Sequence, residues 1–277
     1  MDVAPPQPEV SDAFASLTLN PTSTTVAPQQ EDPIFVIEQT ITLSAQNVQS
    51  FLNSDTQPEG ELRYLFHIVV PGFGGGIGCS DFTCVTIAAP GRCIVGIDHI
   101  PSITCPNDYT PRLLQHIQHA RQIPGTERAR SVLSVEAGTG MEASHIQAVV
   151  ERQYPDMIMM NDFERKVGRK VSSETLIDDL ILLEEYIKYH GLIFHPNWFC
   201  ITRDDRSAIH WDLATQLFDY KRISEEVLLH KEDTMTSKVY SGKHPNNVIG
   251  NLVMALALAL GSARDFFHSS QYVQYHS

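Results

Sequence analysis

Residues 81–100 limit the fold more than any other stretch of this chain. They read DFTCVTIAAPGRCIVGIDHI, two runs rich in β-branched and apolar side chains joined by Pro90-Gly91. Such runs are strand material, and Pro-Gly is turn chemistry, so the segment predicts a hairpin. A third run of the same kind, ELRYLFHIVV (61–70), precedes it across the Gly-rich PGFGGGIG (71–78). That connector lacks the Gly-Lys-Ser/Thr ending of a phosphate loop, and no helical pattern follows it. A flexible strand connector is the favoured reading.

Helical spacing takes over downstream. Residues 112–120 and 142–153 show it, and DMIMM (156–160) reads as a short buried strand. Ser172 or Ser173 can cap a long helix whose apolar face holds Leu176, Leu180, Leu183 and Ile187, with Gly191 at its end. WFCIT (198–202) reads as another short buried strand. Asp204 or Asp205 then caps a helix to about Tyr220, and a last helix spans about Asn246 to Phe267. Strands first, then helices alternating with buried strands, predict an α/β fold with a mixed sheet flanked by helices.

Charge divides the chain. Residues 1–62 carry nine acidic side chains and no Lys or Arg, whereas residues 63–277 carry 20 basic and 24 acidic ones. An overall basic grip on nucleic acid is excluded, but a local basic patch in the second part is not. Residues 1–33 hold six Pro among Ser, Thr and Gln, the composition of a disordered acidic leader. Residues 34–60 read as a connecting arm, with strand-like composition at 33–43, and residues 61–277 as the main domain. The longest apolar run, Leu252 to Leu260, is about half the ~20 residues needed to span a bilayer. No membrane contact is expected. The five Cys (79, 84, 93, 105 and 200) form no CxxC pair, and no apolar signal core follows the N-terminus, so a reducing compartment is expected.

Motifs of common hydrolases are missing: there is no G-x-S-x-G and no H-E-x-x-H. The pairs Asp178-Asp179, Glu184-Glu185 and Glu225-Glu226 lie on polar faces of apparent helices and read as solvated charge. Four cations within six positions, Arg165, Lys166, Arg169 and Lys170, are the candidate RNA-binding cluster. The alternative is an ordinary solvated loop.

The segment from Phe194 is more specific. Cys200, Asp204, Asp205, Arg206 and Trp211 form C-x-x-x-D-D-R-x-x-x-x-W across an apolar strand, a polar turn and a helix. This resembles the corresponding segment of the Maelstrom domain, a family of germline piRNA-pathway factors. The hairpin at 81–100, HARQIP (119–124) and YSGKHPNN (240–247) resemble further family elements, so the likeness runs over about residues 60–267. The chain departs from the pattern in four places: Asp81 stands for Glu, Ser241 for Cys, three residues instead of two separate Cys200 from the first Asp, and HARQIP has two residues more than the family's His-x-Ile-Pro element. Residues 1–60 lack the basic charge and helical patterning of the HMG box that usually precedes this domain.

The resemblance implies an RNase H-like fold similar to DEDD exonucleases, with a Glu, His and Cys signature instead of four carboxylates. Carried over residue by residue, its Glu falls on Asp81 and its His residues on His99, His119 (or His116) and His244. Its Cys falls on Cys200 or on the element where Ser241 now stands. Imidazoles, a thiolate and one carboxylate suit tetrahedral zinc, so a structural zinc is the cofactor implied. The alternative is a scatter of core and surface His. The implied partners are single-stranded RNA and piRNA-pathway proteins, and the implied location is cytoplasmic perinuclear granules and the nucleus. The implied role is single-stranded RNA binding, with a single-strand endoribonuclease activity, in small-RNA-guided transposon silencing. A noncatalytic scaffold that keeps the fold and a structural zinc site and acts through protein contacts, with the acidic leader as docking arm, is the rival. A two-metal exonuclease is the third reading.

Overall fold

The structure, a computed structural model, describes residues 43–72, 80–90, 92–103, 106–136, 141–161, 168–169, 171, 173–202, 206–217 and 251–269. The strand-like segment 33–43 lies outside them, save Leu43.

Among the described residues, six strands form one sheet. They are β1 (Tyr64–Gly72), β2 (Ser80–Ala89), β3 (Cys93–Ile103), β4 (Arg130–Val135), β5 (Ile158–Met160) and β6 (Ile193–Phe199). Their order is β5-β4-β1-β2-β3-β6. β1, β2 and β3 run antiparallel in succession, while β4 lies parallel to β1, β5 parallel to β4 and β6 parallel to β3. The Pro90 turn joins β2 to β3, as its composition predicts, and the Ala89-Pro90 bond is cis. This is a mixed sheet with helices on both faces.

The two faces carry separate cores. α2 (Pro106–Ala120) and α3 (Met141–Gln153) cover one face, where Leu113, Ile117, Ile146 and Val150 meet Val69, Cys84 and Leu133. The other face receives α1 (Ala45–Leu52), α4 (Ser173–Lys188) and α6 (Asn251–His268). Between α4 and α6 the chain forms α5 (206–217). The strict alternation of β1 explains the division: Tyr64, Phe66, Ile68 and Val70 face the second core, and Val69 faces the first. Leu176, Leu180, Leu183 and Ile187 of α4 are buried together, as their spacing predicts. Its last turn closes through His190 in the left-handed region, at φ 55°, rather than through Gly191. Gly191 is needed for another reason, since a Cβ there would stand 2.7 Å from the Tyr186 ring.

Three boundaries differ from the sequence reading. The arm folds: Ser44 caps α1 through a reciprocal pair with Asn47, and Val48, Phe51 and Leu52 are buried in the second core. β4 has no counterpart among the strands read from sequence. It is short, parallel and buried, so its RSVLSV shows no clear alternation of apolar and polar residues. β6 runs over 193–199 instead of 198–202. Pro196 is tolerated there because β6 is the last strand of the sheet, where a missing N–H breaks no ladder. The chain after α1 covers that edge, with Thr56 N donating to Phe194 O at 3.1 Å.

Candidate functional site

A chain of polar side chains runs through the core under α2. His67 of β1 and Thr86 of β2 are direct cross-strand partners. His67 Nδ1 lies 2.8 Å from Thr86 Oγ1, which also lies 2.8 Å from Nε2 of His116 in α2. His116 Nδ1 donates to Asp98 Oδ2 of β3 at 2.5 Å. Gly96 makes the room. A Cβ at that position would stand 2.5 Å from the Phe199 ring and 3.1 Å from His116, so the two rings occupy the space a side chain would take. Thr86 has a single hydroxyl proton. With its Nδ1 proton given to Asp98, a neutral His116 accepts the Thr86 proton at Nε2, and Thr86 in turn accepts from His67 Nδ1.

Asp98 is the hub of this chain. It is 2% exposed, and its Oδ1 accepts from Ile201 N at 2.6 Å and Thr202 N at 2.9 Å. The Thr202 hydroxyl at 3.2 Å and Cys200 Sγ at 3.6 Å donate to the same oxygen. Burial by itself would raise the pKa of this carboxyl. The His116 hydrogen bond and charge, with the Thr202 and Ile201 amides, outweigh burial and hold it below the usual carboxylate value. Asp98 is therefore ionised. His67 is wholly buried, which pushes its pKa well down, and His116 and Arg121 push the same way. Its Nε2 has no hydrogen-bond partner among the described residues.

An ion network closes the opposite face. Arg169 follows β4 in space, its N–H donating to Val135 O at 2.7 Å. Its guanidinium reaches Asp179 of α4 at 2.9 Å and Asp265 of α6 at 2.8 Å. Arg264 pairs with the same two carboxylates at 3.1 and 3.0 Å. Asp179 is fully buried, and desolvation raises its pKa to about 6 against the pull of Arg169 and Arg264. Gly261 permits the approach, because a Cβ there would fall inside the Asp179 carboxylate.

The structure brings together only some of the residues singled out from sequence. Cys200 meets Asp98 and, through it, the alternative His116. His99 is buried on β3 but follows Asp98 directly, and adjacent strand residues face opposite sides, so it points away from Cys200. His119 is exposed, and its Nδ1 donates to Gln115 O at 2.9 Å. The Asp81 side chain and His244 lie outside the described residues. Among the described residues, no three His, Cys, Asp or Glu converge where they could hold a metal ion. Asp98, His116 and Cys200 are engaged with one another or with the turn. In the basic cluster, Arg169 is committed to Asp179 and Asp265, and Arg165, Lys166 and Lys170 lie outside the described residues. Asp179, read from sequence as solvated, is buried.

Sequence reasoning missed His67, Thr86, Asp98, Arg264 and Asp265. His67 and Asp98 each interrupt a strand-like apolar run, the one signal that marked them. Cys84 and Cys93 are core thiols, with burial, aided by Asp55, pushing Cys93 up to about 12.

No family model matches this chain, and no curated protein does. Solved structures do. It is similar to the human cytomegalovirus terminase nuclease domain at a TM-score of 0.59 and 11% identity, over 79% of this chain and 93% of that one. The manganese-soaked, inhibitor-bound form of that domain gives 0.53 and 10%, over 72% and 93%. The manganese-soaked form gives 0.53 and 9%, over 79% and 93%. Together with the sheet order, these similarities establish an RNase H-like fold.

Proposed function

We propose that this chain is a nucleic-acid-binding domain that takes single-stranded RNA, in the manner of the Maelstrom domains it resembles. The observation that carries the reading is the fold, which matches a nuclease domain over 93% of its length. The motif that carries the resemblance supports it. Cys200 opens the turn before α5, and Arg206 lies over the Trp198 ring at 5.1 Å. Trp211 stands 73% exposed. Partners in this reading are single-stranded RNA and proteins of the piRNA pathway, acting in transposon silencing in perinuclear granules and the nucleus. Arg165, Lys166 and Lys170 are the expected phosphate contacts.

A noncatalytic scaffold is the second reading. It is favoured by how fully Asp98 and Asp179 are enclosed by partners of their own chain. Binding and cleavage of labelled single-stranded RNA, with and without EDTA, separates the two. Binding supports the first reading, and no binding at low salt hands the case to the scaffold. Elemental analysis of the same preparation decides whether the zinc implied by the resemblance accompanies the fold.

A further inference from the structure

The turn after β6 aims four donors at one point. Two backbone amides, a hydroxyl and a thiol surround Asp98 Oδ1 at 2.6, 2.9, 3.2 and 3.6 Å. A point ringed by N–H and O–H dipoles is a seat for negative charge. A cation placed there would meet the positive ends of the Ile201 and Thr202 amides. A carboxylate satisfies all four groups, and two of them are backbone amides that need a partner when buried. Cys200 lies 102 positions from Asp98, so only the tertiary fold makes this seat.

The carboxylate is itself held from behind. Its second oxygen takes His116 Nδ1, and His116 is fixed by Thr86 through Nε2 and by the space left at Gly96. Strand β3, helix α2 and the turn after β6 therefore share one anion. The turn leads into α5, whose Arg206 reaches back to Pro196 O at 3.4 Å.

We propose that Asp98 is the positioning residue of the 200–202 turn, the acceptor that holds Cys200 where the sequence would otherwise suggest a metal ligand. This holds whether or not the chain binds RNA. Each donor removed should loosen the turn and expose Cys200 without opening the core.

The test is alkylation of the native full chain by iodoacetamide, read peptide by peptide by mass spectrometry. Cys93, fully buried, reports global opening. Asp98→Ala should raise the Cys200 rate about tenfold or more, the equivalent of one hydrogen bond to a charged group, with Cys93 unchanged. Asp98→Asn should fall between, because its amide oxygen still accepts but carries no charge. EDTA should leave the wild-type Cys200 rate unchanged. If Asp98→Ala also labels Cys93, the core has opened and Thr202→Val decides, with an expected rise of roughly twofold to fivefold at Cys200 alone. An unchanged Cys200 rate in the deciding variant overturns the proposal. So does a wild-type rate that EDTA raises to that of Asp98→Ala, since a metal would then be holding the thiol.

Discussion

Asp179 shows how much one carboxyl can control. Its pKa is raised from 3.8 to about 6 in the folded state, so the folded chain binds its proton more tightly than the unfolded chain does. Its contribution is therefore most favourable below about 4 and is lost as pH rises through about 6. The change is at most about 3 kcal/mol, from roughly two units at 1.36 kcal/mol each. Urea midpoints of wild type and Asp179→Asn, compared at pH 4.5 and 7 (roughly the two ends of that window), should differ in the pH-dependent part by that sign. Parallel profiles for the two proteins would show that Asp179 keeps an ordinary pKa. Gly261 acts at the same spot. Gly261→Ala should cost about 1–3 kcal/mol by forcing Asp179 and α6 apart, read as a lower urea midpoint. An unchanged midpoint would mean the α4–α6 packing is loose. Asp98 has the opposite sign: its lowered pKa adds stability that is lost only as pH falls below the ordinary carboxylate range.

At the scale of elements, α1 belongs to the fold although its sequence reads as a connector. It buries Val48, Phe51 and Leu52, each contributing roughly 1.5–3 kcal/mol, and the chain after it covers the outer edge of β6. Removing residues 1–33 should leave the melting temperature nearly unchanged, because that segment is too poor in apolar side chains to offset its ordering entropy. Removing residues 1–56 should lower it by many degrees and promote association through the uncovered edge. Equal melting temperatures for the two truncations would show that α1 adds nothing. The early hairpin was legible because β-branched runs and Pro-Gly act locally. β4 was not, because a strand buried on both faces has no period-two pattern to read.

At the scale of the whole molecule, the proposed RNA binding depends on where uncommitted positive charge lies. In the proposed reading, replacing Arg165, Lys166 and Lys170 with Ala should weaken single-stranded RNA of every sequence alike. The slope of log affinity against log salt should fall by roughly 0.7 for each phosphate no longer neutralised. Arg169→Ala should behave differently. It removes one of the two guanidinium partners of buried Asp179, so it should cost about 1–3 kcal/mol of stability while leaving the salt slope alone. A salt slope unchanged by the triple variant would remove that cluster from the interface. A stable Arg169→Ala with a reduced slope would place this residue among those that touch phosphate.

Residues 81–100 and the face of α4 were determined by the sequence itself, because turn chemistry and side-chain periodicity are properties of neighbouring residues. The α/β class followed from their order along the chain. The polar sites were a different matter. Cys200 stands out as a motif residue, yet its partner is Asp98, whereas the sequence reading puts the adjacent His99 in the site instead. One position along a strand reverses the face, and no local signal says which face will meet α2. Arg169 looks like a surface cation among three others until the fold sets Asp179 and Asp265 around it. Whether a charged side chain is solvated or buried in a pair depends on what the rest of the chain packs against it, and only the tertiary structure decides that.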